Sequence, residues 1–183
     1  MGYKYDKDEI LEVAVEASLE DGVASLTYGR LARRMGINDR MIVYYFPSKD
    51  ALIGAVIEAH SVKLQALLAE AFAKPAADRI ALLRHAWPVL ATAAADPTMR
   101  VFFELVGLSA RGLSPYSEFI PAAMEAWAQL LSGLLQVPEA ERRAEAEASM
   151  ALIDGLLLLR HTLGPEAADR AAARHGVNVT AGS

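Results

Sequence analysis

The side chains best suited to a specific chemical role lie close together in the sequence, within residues 27–49. Arg40 is the most discriminating of them, because a guanidinium can donate to both acceptors on the major-groove edge of guanine. Asp39 precedes it and has two roles that the sequence leaves open. Its carboxylate can stabilise the start of a helix, where the helix dipole favours an acid, or it can accept from the amino group of cytosine. Both residues point to the reading of base edges in DNA.

These side chains need a rigid frame, and residues 27–46 have the spacing of a helix-turn-helix. Thr27 can cap a first helix, and Gly36 supplies the permissive backbone that ends it. Asn38 can cap a second, shorter helix. Pro47 limits that helix, because a proline disfavours helical geometry in the residue before it. The second helix would present Asp39 and Arg40 to a groove of DNA.

Two motifs in and after this segment carry a family resemblance. They are Gly36-Ile37-Asn38 and Val43-Tyr44-Tyr45-Phe46-Pro47-Ser48-Lys49-Asp50-Ala51-Leu52, and the pattern extends back through Gly22, Leu26, Thr27, Leu31, Ala32 and Met35. This pattern resembles the DNA-binding signature of the TetR family of bacterial transcriptional regulators. The resemblance implies a homodimer that binds double-stranded DNA at an inverted-repeat operator and responds to a small-molecule effector.

By the same resemblance, a set of side chains in the first fifty residues, here called the head, is expected to contact DNA: Thr27, Tyr28, Asp39, Arg40, Met41, Val43, Tyr44, Tyr45 and Lys49. Thr27, Tyr28, Tyr44, Tyr45 and Lys49 would bind phosphates, to which the free N–H groups of the first helix can also donate. Tyr45 could equally be a core residue, and Phe46 is expected in the core. The chain departs from the common family pattern at Gly29, Met41 and Val43, so its operator does not follow from that of relatives.

The charge distribution supports a DNA-facing head on an acidic chain. The formal net charge is −5 over 183 residues. Within residues 22–50, however, five basic side chains stand against two acidic ones, which leaves a net charge of +3. A local basic surface suffices to attract phosphates, because physiological salt screens charges beyond about 8 Å.

The composition favours an all-α fold, since Ala and Leu are abundant and β-branched runs are scarce. We expect a head over residues 1–50 and a helical ligand-binding and dimerisation body over 51–164, whose connecting helix covers about 49–73. A short helix and a flexible tail would follow over 165–183. The helices are predicted at 6–21, 27–35, 39–45, 49–72, 79–95, 98–111, 115–136, 139–163 and 167–174. Pro88 inside the fifth helix predicts a kink or break near Trp87. Asp96-Pro97 is expected to end the fifth helix, and 176–183 is expected to be the flexible part of the tail.

The effector pocket is implied by the resemblance, and its candidate residues are the larger polar and aromatic side chains of the body. They are His85, Trp87, Met99, Phe102, Phe103, Arg111, Tyr116, Met124 and Trp127. Several of the aromatic residues would simply belong to the core. Arg111 could bind an anionic or polar group of a ligand or form a salt bridge at the surface.

The last two long helices predict a dimer contact. The 139–163 helix is apolar on more sides than one buried face requires, and the 115–136 helix carries small residues that would admit a close neighbour. We therefore expect a four-helix contact between two subunits, with a tightly packed monomer core as the alternative. The expected interface residues are Trp127, Leu131, Leu134, Met150, Ile153 and Leu157.

Enzyme chemistry finds little support in the sequence. There is no cysteine, and GLSAR at 107–111 lacks the second glycine of a nucleophile elbow. The four histidines show no paired ligand spacing, so we expect no metal and no cofactor. The apolar stretches are interrupted before membrane-spanning length, so a cytoplasmic protein is expected. The predicted function is a dimeric DNA-binding regulator, most often a repressor, and the alternative is a helical interaction scaffold.

Overall fold

The computed structural model describes residues 5–177. Its helices are α1 (Lys7–Asp21), α2 (Tyr28–Met35), α3 (Asp39–Tyr45), α4 (Lys49–Ala71), α5 (Arg79–Leu90), α6 (Asp96–Ala110), α7 (Tyr116–Leu134), α8 (Glu139–Leu163) and α9 (Pro165–Ala173). A short 3-10 helix at Val23–Ser25, here called the 3-10 turn, joins α1 to α2. Over the described range there is no β-strand, and the all-α prediction is confirmed.

The helices of the head begin and end where local chemistry predicts. The Thr27 hydroxyl accepts from the N–H of Arg30 at 3.2 Å at the start of α2. The Asn38 side chain accepts from the N–H of Arg40 at 2.9 Å at the start of α3. Between the two helices, Gly36 has φ +64°, the left-handed conformation that glycine adopts without a side-chain clash. The helix-turn-helix is therefore specified by residues inside it.

The fifth and sixth helices differ from the prediction on either side of Pro97. α5 ends at Leu90 and not at residue 95, since Pro88 in its last turn cannot donate a helical hydrogen bond. α6 already begins at Asp96, because a proline is tolerated in the first turn, where its missing N–H needs no partner. The expectation that Asp96-Pro97 terminates a helix was wrong.

The described chain divides into two compact units. The first contains the residues up to Lys63 together with Arg100–Ile120. The second contains Leu64–Met99 and the residues from Pro121 onward. The first unit is larger than the head expected over residues 1–50, because residues 100–120 cluster with that head.

The second unit is built around α5, α8 and α9, in which α8 contacts both α5 and α9. Its buried side chains include Leu82, Leu83 and Leu90 from α5, Ile153, Leu156 and Leu157 from α8, and Ala168 and Ala172 from α9. The buried guanidinium of Arg160 donates to both carboxylate oxygens of Asp96 at 2.7 and 2.9 Å. This ion pair binds α8 to the first residue of α6.

α4 is long and apolar enough to cross a membrane by length and composition alone, which the sequence analysis had not anticipated. The core helix of a water-soluble protein passes the same test. In its first half, Leu52, Ile53, Val56 and Ile57 are buried within the chain. The second half of the helix is less buried, and Val62 is 63% exposed.

The expected flexible tail coincides only partly with the structure. Its last residues, 178–183, lie outside the described range. Gly176 and Val177, which we had included in the tail, are ordered: the Gly176 carbonyl accepts from Nε of Arg84 at 2.8 Å, and Val177 is buried. The structured body therefore continues beyond α9.

Candidate DNA-binding interface

The exposed face of α3 follows from the way that its other face is buried. Ile42 on α3 and Phe46 just after it are almost completely buried. The side chains on the opposite side then point away from the core: Asp39 and Arg40 are exposed, Val43 is 40% exposed and Tyr44 is 66% exposed. An exposed valine and tyrosine on a seven-residue helix give a surface suited to the methyl groups and edges of bases.

Asp39 is not the cap of α3. That role belongs to Asn38, whose side-chain oxygen bonds the N–H of Arg40. Asp39 lies in the first turn of the helix and is exposed. Asn38 therefore provides the side-chain cap. Asp39 can still stabilise the start of α3 through the helix dipole, which favours an acid there.

The three tyrosines expected to contact DNA are placed differently. Tyr44 is the exposed one, and its ring meets that of Tyr45 edge-on with centroids 5.0 Å apart. Tyr45 is half-buried, and its hydroxyl donates to the carbonyl of Tyr5 at 3.4 Å. The hydroxyl of Tyr28 donates to the carbonyl of Phe46 at 2.8 Å, and burial raises the pKa of Tyr28, with a smaller effect from the Asp50 carboxylate. A phosphate contact by Tyr28 or Tyr45 would require exchange of these internal bonds.

The start of α2 has the features of a phosphate site. The N–H groups in the first turn of a helix have no partners within the helix. Thr27 accepts from the N–H of Arg30, and the N–H groups before it can donate to a phosphate. Gly29 in that turn has no described atom within 4 Å of the position where a Cβ would lie. The glycine is thus not required by packing inside the described chain, and its small size would allow close approach of a DNA backbone.

The basic surface is smaller than the sequence suggested. Arg34 donates to both oxygens of Glu20 at 2.6 and 2.9 Å. This hydrogen-bonded pair raises the pKa of Arg34 and lowers that of Glu20. Glu20 lies outside the 22–50 segment whose charges were counted, so that count missed the pairing. Arg33, Arg40 and Lys49 are exposed cations of the head.

Two polar contacts that were not expected from the sequence join the head to α4 and α6. The carboxylate of Glu104 on α6 accepts from the N–H groups of Val23 and Ala24 at 2.9 Å each. The hydroxyl of Ser18 on α1 lies 2.7 Å from Nε2 of His60 on α4, and both side chains are buried. Burial lowers the pKa of His60, helped by Lys63 and opposed by Glu104. Sequence separation hides such pairs, since no local pattern connects their members.

The effector-pocket candidates are divided between the two units of the described chain. Phe102, Phe103, Arg111 and Tyr116 belong to the first unit, and His85, Trp87, Met99, Met124 and Trp127 belong to the second. His85 and Arg111 are exposed, whereas Trp87, Met99, Phe102, Tyr116 and Trp127 are buried, and Phe103 and Met124 lie between these extremes. Nε1 of Trp87 donates to Asp169 at 3.0 Å, which gives that residue a structural role.

The expected dimer residues point inwards. Trp127, Leu131, Met150, Ile153 and Leu157 are buried within the single chain, and Leu134 is half-buried. Their periodicity marks the face that the chain itself covers. One exposed stripe of each helix instead carries small residues around a leucine: Ala122, Ala126, Leu130 and Gly133 on α7, and Ala148, Ala151, Gly155 and Leu158 on α8.

Comparisons with known proteins agree with this architecture. Residues 10–56 match the family model described as "Bacterial regulatory proteins, tetR family". A transcriptional regulator from Rhodococcus sp. Rha1 has a similar structure, with a TM-score of 0.74, 20% identity, and coverage of 93% of this chain and 94% of that one. A TetR transcriptional regulator from Legionella pneumophila gives a TM-score of 0.69 at 22% identity, covering 95% and 96% of the two chains. No curated protein matches the chain significantly.

The resemblance to the TetR family that the sequence indicated is thereby confirmed. The family model covers the helix-turn-helix head, and the similar structures share the fold of head and helical body together. The chain thus has the helical fold of these regulators, and its head matches the TetR family model over residues 10–56.

Proposed function

We propose that the protein is a dimeric, sequence-specific transcriptional regulator, acting as a repressor that a small-molecule ligand releases from an inverted-repeat operator. The observation that carries the proposal is the exposed face of α3. This face combines Arg40, Val43 and Tyr44 on a helix that Ile42 and Phe46 fix to the head. A helix held in this way can enter the major groove as a rigid element.

Each side chain on this face has a distinct task in the proposal. Arg40 would donate to the two acceptors of a guanine, and Asp39 would accept from a cytosine amino group. Val43 and Tyr44 would contact thymine methyl groups or the walls of the groove. Thr27 at the start of α2 and Lys49 at the start of α4 would bind phosphates. These contacts would set the register of α3 on the duplex.

Dimerisation is proposed through the exposed small-residue faces of α7 and α8. Small side chains allow two helices to approach closely, and Leu130 and Leu158 would fill the space between them. A second copy of the chain is the proposed occupant, because an inverted repeat has two half-sites and needs two α3 helices about 34–36 Å apart, one turn of DNA. This spacing is what an inverted repeat requires.

The effector is proposed to bind in the helical body and to lower DNA affinity through differential binding to two arrangements of the protein. The buried aromatic candidates of the first unit, Phe102 and Tyr116, would supply apolar contacts. Arg111 in the same unit is exposed and would take part only at an opening of such a pocket.

The central experiment is selection of bound duplexes from a random DNA pool, with wild-type protein and with Arg40→Ala. Wild-type protein should enrich an inverted repeat. Arg40→Ala should lose the preference at one position of each half-site, at a cost of about 1–3 kcal/mol. Arg174→Ala, which removes an exposed arginine after α9, is the matched control and should keep the full preference.

The salt dependence separates phosphate binding from other contacts. The logarithm of the binding constant should fall linearly with the logarithm of salt concentration, because phosphate neutralisation releases counterions. A flat response, together with no enrichment by folded wild-type protein, would favour the helical interaction scaffold instead.

The dimer has its own test. Leu158→Glu places a charge on the proposed face of α8 and should convert the dimer to a monomer in sedimentation at micromolar concentration. Leu113→Glu, at another exposed leucine, should leave the dimer intact. A monomeric wild-type protein would refute this interface.

A further inference from the structure

The 3-10 turn that leads into the helix-turn-helix is held by one carboxylate from α6. Oε2 of Glu104 accepts from the N–H of Val23, and Oε1 accepts from the N–H of Ala24, each at 2.9 Å. All three residues belong to the first unit. Glu104 lies 81 and 80 positions away in the sequence from these two partners, so it is not part of the turn that it binds.

The chemistry of this contact is specific to a carboxylate. The first N–H groups of a helical turn have no partners within it and need an acceptor. The two N–H groups of the turn each bond a different oxygen, and a carboxylate offers two such acceptors. An amide at position 104 would offer one oxygen and place its own N–H₂ against the second donor. The contact, here called the Glu104 clasp, therefore depends on the ionised glutamate.

The clasp also explains why residue 22 is glycine. Gly22 ends α1 with φ +85°, a conformation that side chains rarely adopt. A Cβ on this residue would lie 3.0 and 3.1 Å from the two carboxylate oxygens of Glu104. The glycine thus serves two purposes, since it turns the chain and leaves room for the carboxylate to approach.

The bonded turn is directly connected to the start of α2. Ser25 within it donates from its hydroxyl to the carbonyl of Gly22 at 2.9 Å, and Arg30 donates to the carbonyl of Ser25 at 3.3 Å. Leu26, the next residue, is buried. Thr27 follows and caps α2. A shift of the turn would therefore move the beginning of α2, which the proposed function assigns to phosphate binding.

We propose that Glu104 is a positioning residue for DNA recognition: through the clasp it holds the start of α2 in the orientation that binds the operator. The inference rests on the proposed function. The hydrogen bonds that Glu104 accepts within the described chain go to the turn and not to a residue assigned to DNA contact, so it would act only through the turn. The class of ligand concerned is unchanged, a DNA duplex, but the determinant of affinity lies outside the helix-turn-helix.

Electrostatics and positioning predict opposite results for one substitution. Glu104→Gln removes a negative charge, which by long-range electrostatics alone would strengthen the binding of a polyanion. The loss of the clasp should instead weaken binding to the operator selected with wild-type protein, by roughly tenfold for a charge-assisted hydrogen bond. Glu104→Asp keeps the charge but shortens the reach, and it should also weaken binding.

The experiment measures operator affinity by fluorescence anisotropy and amide hydrogen exchange in the same variants. Glu145→Gln is the matched control, because Glu145 also uses both oxygens, on Arg79 in the second unit. Glu104→Gln should lose affinity and show faster exchange at Val23 and Ala24, with an unchanged salt slope. Glu145→Gln should keep wild-type affinity and wild-type exchange in the turn.

Three results would overturn the inference. Equal or tighter operator binding by Glu104→Gln is one. Unchanged exchange at Val23 and Ala24 is another, because the clasp would then not exist in solution. Equal loss of affinity in the Glu145 control is the third, since it would trace the effect to general stability. Failure of the wild-type protein to bind any DNA would refute the proposed function, and the exchange result would then test the clasp alone.

Discussion

Asp154 should destabilise the protein at neutral and higher pH, so that its replacement by asparagine makes the fold more stable. The residue lies on α8 between the buried face and the exposed face of that helix. Its Oδ1 atom is buried and has no hydrogen-bond partner among the described residues. Burial raises the pKa of Asp154 from its usual 3.8 to about 7. A carboxylate in such a place loses hydration that no partner replaces.

The sign and size of the effect follow from proton linkage. With the folded pKa above the unfolded one, the folded state binds more protons between these values, so this group's contribution favours folding at low pH and is lost as pH rises through about 7. A tenfold difference in proton affinity corresponds to about 1.4 kcal/mol, so the difference between the folded and unfolded pKa values sets an upper bound of about 4 kcal/mol. Access of water through the exposed side of α8 should reduce this to about 1–2 kcal/mol.

The assay is urea unfolding of wild type and Asp154→Asn at pH 5 and pH 8, at one protein concentration, since association would also shift stability. The variant should be more stable by about 1–2 kcal/mol at pH 8, and this advantage should shrink clearly at pH 5. Glu70→Gln, at an exposed position of α4, should show little change at either pH. A variant that is equally or less stable at pH 8, or an advantage independent of pH, would refute the reasoning.

Four further substitutions test the contacts of the two units. Thr27→Ala removes the cap of α2 and should cost about 1 kcal/mol of stability in thermal or urea unfolding, with weaker DNA binding. Ser18→Ala leaves buried Nε2 of His60 without its partner and should cost about 1–3 kcal/mol; a loss below about 0.5 kcal/mol, on the scale of surface changes, would contradict this. Arg160→Ala should cost about 2–4 kcal/mol, because its side chain is 8% exposed and its carboxylate partner would remain half-buried. Arg143→Ala, which breaks a bidentate pair at 48% exposure, should reduce stability much less than Arg160→Ala does, because solvent screens an exposed pair.

The head could be predicted from the sequence because its determinants are local. Thr27, Gly36 and Asn38 act on residues two to four positions away, and each occupies the conformation that its chemistry favours. The buried position of Phe46 also follows from the pattern. The division of the tyrosines did not, because the partner of Tyr28 is a carbonyl at the far end of α3.

The body shows where sequence periodicity stops being informative. Apolar spacing along α8 correctly placed Ile153 and Leu157 on a buried face, but burial inside one chain and burial between two chains produce the same pattern. We assigned that face to the dimer, whereas the chain covers it itself. The face left exposed carries Ala151, Gly155 and Leu158, whose small average size gives a weaker signal.

The hydrogen bonds of Ser18 with His60 and of Glu104 with the 3-10 turn, which were not expected from the sequence, share a physical role. Apolar packing holds helices together but tolerates small sliding, whereas a hydrogen bond fixes direction and distance. The first unit uses such bonds at two points outside the helix-turn-helix, between Ser18 and His60 and between Glu104 and the 3-10 turn. Both pairs join α1 or its end to helices far away in sequence. The helices of the head are thus encoded locally, while its contacts with α4 and α6 involve His60 and Glu104, which no motif of the helix-turn-helix contains.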